Sequence, residues 1–407
     1  MFIRPQALTT ITLTVGLMFG FAGLAWSADD TIKIGVLTDL SGPTSDANGP
    51  GSVLAAKMAI ADAGGKAGKF AVELVQADHQ LKPDIASQIA RRWYASEGVD
   101  IILDVPVSPI ALAVQNIAKS ENKIMITAGS GSSDFTGKFC SETTMQWVFD
   151  TYSLARGSAR ALVKSGNDTW FIIAQDNAFG AAMLRDIGAV VEENGGKIIG
   201  SVRHPPQTGS DLSSFLMQAQ GSKAKVIALA SGPPDNINSI KVSEEFKIAQ
   251  GDKQKLVGLL FFLTDVHAIG LKAAQGLVVI SGFYWDQSPE ARAWAERFFK
   301  EHGRMPTEIQ AGVYSSARHY LRAVAAAGSR DAKVVAAKMR ELPVEDFFAK
   351  GGTLRKDGRL VYDLNLVQVK TPGESKGPWD IYKILDKIPG KDAFRPIEKS
   401  ECPLFKN

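Results

Sequence analysis

Apolar residues along the chain follow two periods. Short runs rich in Ile, Val, Leu and Phe recur at 32–37, 70–76, 101–105, 124–127, 170–174, 197–202, 226–230, 256–263 and 277–280. Between them apolar residues fall at helical spacing, as with Val53, Ala56 and Ile60 ahead of the Gly64-Gly65 stop. Strand alternating with helix predicts parallel sheets covered by helices on both faces. Nine such strands exceed one doubly wound unit. The pattern therefore divides into two sheets, the first ending near Thr127 and the second beginning near Trp170. Beyond Phe283 two long helices, 289–301 and 308–327, precede strand-like runs at 360–369 and 379–385. Those runs follow the turn-like Lys356-Asp357-Gly358-Arg359 and are separated by a Pro/Gly loop at 371–378.

The start of the chain breaks this pattern. Arg4 precedes an apolar, uncharged stretch at 7–24 and small residues at 25–28, the order of a secretory leader, so 1–28 is set aside as a signal peptide. Cleavage after Ser27 puts Ala25 three residues before the bond, whereas cleavage after Ala28 puts Trp26 there. An uncleaved anchor is the competing reading, since about eighteen apolar residues just suffice to cross a bilayer. With either cut the mature chain starts near Asp29 and is exported. No Cys follows the apolar stretch, so a lipid-modified start is not expected, and about 380 residues remain to build two cores. Basic and acidic residues, 46 and 43, are nearly balanced, which argues against an electrostatic nucleic-acid binder. Cys140 and Cys402 are the two cysteines. In an oxidising compartment a disulfide between them is the expectation, with two free buried thiols as the alternative.

Ligands of open parallel sheets bind beyond the carboxyl ends of the strands. The loop 39–51 after the first strand lacks the third glycine of a dinucleotide fingerprint, since Leu54 stands where it is required, and no phosphate-loop motif occurs. Ser108-Pro109 reads as an N-cap and first-turn pair, directing backbone N–H groups and a positive dipole end outward, which suits a carboxylate. The next loop, Ile126-Thr127-Ala128-Gly129-Ser130-Gly131-Ser132-Ser133-Asp134-Phe135, offers glycines that permit close backbone approach and serines that add donors. It lacks nucleophile-elbow spacing. The alternatives are a cap that serves only its own helix for Ser108-Pro109 and a mobile surface turn for 126–135. Further candidates are Trp147, Tyr152, Phe179, Ser231, Phe261 and Asp265, as walls or polar contacts of a mostly apolar pocket. The five histidines show no ligand-pair spacing, and His302 and His319 are expected to be solvated. No metal site, cofactor site or catalytic triad is expected.

Ile32 to Pro43 with its glycine-bearing loop resembles the opening of type I periplasmic solute-binding proteins of the branched-chain amino acid (leucine/isoleucine/valine-binding) ABC transporter family. The similarity continues through Ser108, 124–135, 176–180 and Ala311-Gly312-Val313-Tyr314, over nearly the whole mature chain. The resemblance implies two doubly wound parallel-sheet lobes joined by three crossovers, 31–148 plus 281–355 and 149–280 plus 356–407. It further implies hinge closure on a small solute and delivery to an ABC-type inner-membrane permease, by a periplasmic monomer that is not an enzyme. It carries the ligand carboxylate onto Ser108, Gly129, Ser130 and Gly131, with Phe179 covering the ligand from the second lobe. Family members that bind amino acids place an acid on the second lobe; here the matching strand end reads Gly258-Leu259-Leu260-Phe261-Phe262, and only Asp265 or Asp150 stands near. An ammonium left buried without a partner costs several kcal/mol. The sequence thus supports a carboxylate more firmly than an amine, leaving amino acids and aromatic or aliphatic acids open. A ligand sensor for a signalling partner and an exported α/β hydrolase are the alternative functions.

Overall fold

The computed structural model describes Met1 and residues 31–206, 212–248 and 254–405. Apart from Met1, the predicted leader lies outside the described residues. Strands β1 (Thr31–Thr38), β2 (Lys66–Ala67), β3 (Phe70–Asp78), β4 (Ile101–Asp104), β5 (Ile124–Thr127) and β6 (Thr144–Gln146) form the first sheet, in the order β2-β3-β1-β4-β5-β6. All neighbours pair in parallel except the short β2-β3 hairpin. The central strands are buried on both faces, which is why they read as unbroken apolar runs rather than alternating ones. Strands β7 (Thr169–Gln175), β8 (Lys197–His204), β9 (Val226–Ala230) and β10 (Lys255–Gly258) form a second parallel sheet, ordered β10-β9-β7-β8.

The chain then leaves the parallel pattern. Strand β11 (Val278–Ser281) does not join the second sheet. After it come the helices Pro289–His302, Glu308–Ala327 and Ala332–Glu341, of which Glu308–Ala327 packs along Gly49–Asp62 of the first sheet's layer. The short strands β12 (Val344–Glu345), β13 (Lys350–Leu354) and β14 (Leu360–Val361) follow, then β15 (Leu364–Val369), antiparallel to β11, and β16 (Tyr382–Ile388), antiparallel to β15, in the order β11-β15-β16. Among the described residues no helix is long and apolar enough to cross a membrane.

Three segments cross between the halves; two are hydrogen-bonded to each other and the third is held by a helix start. Arg359, fully buried, donates from Nη1 to the Phe149 carbonyl and from Nη2 to the Val148 carbonyl, both at 3.1 Å, and Tyr362 Oη donates to the same Val148 oxygen at 3.1 Å. The Glu308 carboxylate accepts the Gly282 N–H of the remaining crossing. Burial draws the Arg359 guanidinium down to about 10, still charged at neutral pH, with Asp150 3.7 Å away.

Three expectations need correction. The 256–263 run is not one strand: β10 stops at Gly258, because the chain folds back and lays the Phe261 ring where a side chain at 258 would stand. Leu263 then opens a helix, Leu263–Ile269, ahead of which Asp265 accepts the Phe262 N–H at 2.9 Å. His319 is buried rather than solvated; its Nε2 faces the Met339 carbonyl at 2.8 Å, and burial pushes it down to about 4. Helix Ser108–Ser120 begins at Ser108 itself, with Val107 in the cap place.

Cys140 and Cys402 are bridged, their Cα atoms 5.6 Å apart. The bridge carries the tail back to the first half after Arg395 has paired with Asp186 and Lys399 with Glu193 on helix Ala178–Glu193. Replacing both cysteines with serine should lower stability by about 2–5 kcal/mol, read by chemical denaturation. Unchanged stability would show that the bridge restrains little.

Several buried acids have few partners. Burial raises Asp104 and Asp265 to about 7 and Glu308 to about 8. In the unfolded chain such groups ionise near 4, so between about pH 4 and 7 the folded state binds more protons and stability falls as pH rises. The Asp104 oxygens make no hydrogen bond of good geometry, and the Ser52 and Thr38 hydroxyls beside them offset burial only in part. Asp104→Asn should therefore flatten the decline between pH 5 and 8 and stabilise the protein at pH 8 by on the order of 1–3 kcal/mol. Denaturation curves at both pH values check this, and a variant equally destabilised at both would contradict it.

Candidate ligand cleft between the parallel sheets

The carboxyl ends of β1, β4 and β5 face those of β7, β9 and β10 across a cleft with about 500 Å³ of empty space, its open mouth included. After β1, the Asp39 carboxylate accepts the N–H groups of Gly42 (2.8 Å) and Thr44 (2.9 Å) and the Thr44 hydroxyl (2.8 Å). This folds the loop so that Thr44 and Asn48 reach the cleft. After β4, Asp104, Val105 and Val107 all have positive φ, +76°, +46° and +71°. Such a conformation is strained for a β-branched residue. It sharply reverses the chain and points the first turn of helix Ser108–Ser120 at the cleft. The Ser108 hydroxyl, not used as a cap, accepts the Ser132 N–H at 3.1 Å and keeps its own proton to donate.

The loop after β5 is fitted against its neighbours rather than mobile by composition. Ser130 Oγ donates to the Val105 carbonyl at 2.7 Å, and Gln146 Nε2 donates to the Ser130 and Ser132 carbonyls. A methyl group on Gly129 would lie 2.5 Å from Asn48 Oδ1, and one on Gly131 would lie 2.8 Å from the Phe179 ring and 2.9 Å from Phe149. Both positions thus require glycine for closeness of approach. The N–H groups of Ser108, Gly129 and Gly131 have no acceptor among the described residues. Those three donors, with the Ser108 hydroxyl and a helix dipole, are of the kind that suits an anion.

The opposite wall is built similarly. Asn177 caps helix Ala178–Glu193 by accepting the Gly180 N–H at 3.0 Å and donates to Gln175 Oε1 at 3.1 Å. Gln175 in turn donates to Asp235 at 2.7 Å. The cap sets Phe179 at the helix start, facing Gly131. Ser133 Oγ donates to Asp186 of the same helix at 2.7 Å, tying the two walls together.

Four of the residues singled out in the sequence line the cleft: Ser108, Gly129, Gly131 and Phe179. The other six sit elsewhere. Ser130 turns back to Val105. Trp147 is fully buried and donates its indole N–H to Ser315 at 3.1 Å. Tyr152 lies under the Arg395 guanidinium, 4.9 Å away. Ser231 meets His204 Nε2 at 2.8 Å, Phe261 packs in the core beneath the second sheet, and Asp265 is committed to the Phe262 N–H. Thr44, Asn48, Pro106, Val107, Gln175, Asn177, Gly232, Pro233, Leu260, Phe262 and Ile309 complete the lining. Most of them stand within a few residues of a strand's carboxyl end, the signal that marks them in sequence; Ile309, at a helix start distant in the chain, has no such signal. No lining residue is charged. Asp150, the other acid near, caps its own helix through the Ser153 N–H at 2.7 Å.

Comparison with known proteins agrees with this geometry. Residues 31–378 match the family described as periplasmic binding protein. A periplasmic binding protein of Burkholderia mallei is 43% identical, with a TM-score of 0.90, covering 92% of this chain and 99% of that one. The Leu/Ile/Val-binding protein homolog 6 of Brucella suis is 26% identical over 329 residues, 79% of this chain and 82% of the relative. A solute-binding protein of an ABC transporter from Rhodopseudomonas palustris BisB5, solved in complex with 3,4-dihydroxybenzoic acid, shares the fold at 19% identity, with a TM-score of 0.79 over 91% of this chain and 100% of that one. With two parallel sheets facing one cleft and a family match over most of its length, the chain belongs to the periplasmic binding protein family.

Proposed function

We propose that the cleft captures a small carboxylate by closure of two lobes, 31–148 plus 281–355 and 149–280 plus 356–407, and that the closed form delivers it to an ABC-type permease. The observation that carries this reading is the convergence of the Ser108 hydroxyl and the unpaired Ser108, Gly129 and Gly131 amides on an uncharged cleft walled by Phe179. A carboxylate satisfies those donors, of which Ser108 and Gly131 are buried and Gly129 half-buried. Ser108 is only 2% exposed and Phe179 6%. A solute therefore gains access when the walls part, and the three crossings are where that rotation takes place, as in hinge closure generally.

The tail of the solute meets Val107, Pro233, Leu260, Phe262 and Ile309, all apolar, and no acid lines the cleft to hold an ammonium. This favours an aromatic or branched aliphatic acid over an amino acid. The R. palustris protein solved with 3,4-dihydroxybenzoic acid is a precedent for such a ligand on this fold. Exported leader, periplasmic location and permease partner go together in this reading.

A hydrolase reading finds one arrangement to consider, Ser231 beside His204. His204 Nδ1 faces the Pro205 carbonyl at 2.9 Å, with Asp235 at 3.9 Å, and Ser231 does not line the cleft. The pair has neither the orienting acid in hydrogen-bond contact nor the substrate access that acyl transfer needs.

Ser108→Ala should weaken binding of the preferred carboxylate by about 1–3 kcal/mol with the fold intact, measured by calorimetry. Unchanged affinity would remove Ser108 from the clamp.

A further inference from the structure

The cleft holds one polar atom that a simple carboxylate leaves unused. Asn48 is 2% exposed and lines the cleft, yet its side-chain oxygen has no hydrogen-bond partner. The orientation of the amide is fixed: Nδ2 donates to the Thr44 carbonyl at 3.1 Å, and a flipped amide would turn Oδ1 against that carbonyl instead. The backbone is pinned as well. Gln310 Nε2 donates to the Asn48 carbonyl at 3.1 Å, and Thr307 Oγ1 donates to the Ala47 carbonyl at 2.7 Å. Asn48 thus cannot swing to water, and its oxygen remains a buried acceptor awaiting a donor, an arrangement that is costly unless something fills it.

The place of that acceptor specifies where the donor must be. Oδ1 lies against Gly129, 2.5 Å from where a methyl on that residue would stand, and Gly129 is part of the anion cradle. A donor that reaches Oδ1 while the carboxylate sits on Ser108, Gly129 and Gly131 belongs to the carbon beside the carboxylate. Two common groups donate from that carbon, an ammonium and a hydroxyl. An ammonium carries a full charge into a lining without any acid, and one amide oxygen does not compensate it. A hydroxyl is neutral and is satisfied by a single acceptor.

Building on the carboxylate reading above, we infer that Asn48 selects 2-hydroxy acids: its Oδ1 accepts the hydroxyl beside the carboxylate held by Ser108 and the Gly129–Gly131 loop. Binding is reversible and involves no bond making. Specificity then comes from two terms, a hydrogen bond that the unsubstituted acid lacks and a charge that the amino acid brings without a partner.

Two near-isosteric series test this by calorimetry on the ligand-free protein: 2-hydroxy-4-methylpentanoate, 4-methylpentanoate and leucine, and mandelate, phenylacetate and phenylglycine. In the series whose tail fits, the hydroxy acid should bind about tenfold tighter than the unsubstituted acid and about a hundredfold or more tighter than the amino acid. An unsubstituted acid that binds as well as the hydroxy acid overturns the role of Asn48 and leaves the carboxylate clamp standing, as does an amino acid that binds tightest. No binding by any of the six overturns both. Asn48→Asp places a carboxylate at the same point and should reverse the order, so that the amino acid exceeds the hydroxy acid. Circular dichroism establishes that this variant is folded, and an unchanged order in the folded variant also overturns the assignment.

Discussion

A parallel strand delivers its chain to a helix at one edge of the sheet, and the first turn of that helix has amide hydrogens with no partner inside it. Everything at the cleft follows from that constraint. Where two such edges face each other, unpaired donors collect in a space largely closed to water, and only a negatively charged or strongly accepting group can satisfy them. Ser108 with the Gly129–Gly131 loop is the place where this chain collects them most densely. Positive φ at Asp104, Val105 and Val107 is the local cost of aiming that first turn inward. The glycines at 129 and 131 are required because Asn48 and Phe179 press on them directly.

The same constraint explains how the halves are joined. Under the proposed closure the walls would stay rigid and the joint between them would keep its register. Arg359 holds two carbonyls of one crossing while belonging to another, and its guanidinium also lies over the Phe394 ring at 4.6 Å. Glu308, one residue before the cleft-lining Ile309, holds the remaining crossing through the Gly282 N–H. The tail adds a covalent link, since Cys402 is bonded to Cys140 after Arg395 and Lys399 have paired with helix Ala178–Glu193. Joint and site are therefore neighbours, joined through Glu308 beside Ile309 and through Phe149, which packs on Gly131 and Phe262.

Much of this was legible in the sequence because both strand and helix periods are strong. The runs at 124–127 and 226–230 coincide with β5 and β9, and helix Glu308–Ala327 has the expected limits. Reading failed where tertiary packing overrode the local pattern. The apolar run at 256–263 contains a chain reversal set by Phe261 against Gly258, and β11 pairs antiparallel with β15, about ninety residues later in the chain. The cleft was half legible. Ser108, Gly129, Gly131 and Phe179 were found from loop chemistry and family resemblance, whereas Trp147, Tyr152 and Phe261 are aromatic residues whose packing inside the protein no single sequence distinguishes from a ligand wall. Nothing in the sequence of the 39–51 loop singles out Asn48, because its value lies in an unpartnered oxygen, and that is a property of three-dimensional contacts.

The most direct test of the account is a crystal structure of the protein with its tightest-binding carboxylate. The carboxylate oxygens should lie within hydrogen-bond distance of Ser108 Oγ and the Gly129–Gly131 amides, with the tail against Phe179. A carboxylate facing solvent, or held by a cationic side chain while the Ser108 cradle stays empty, would contradict it.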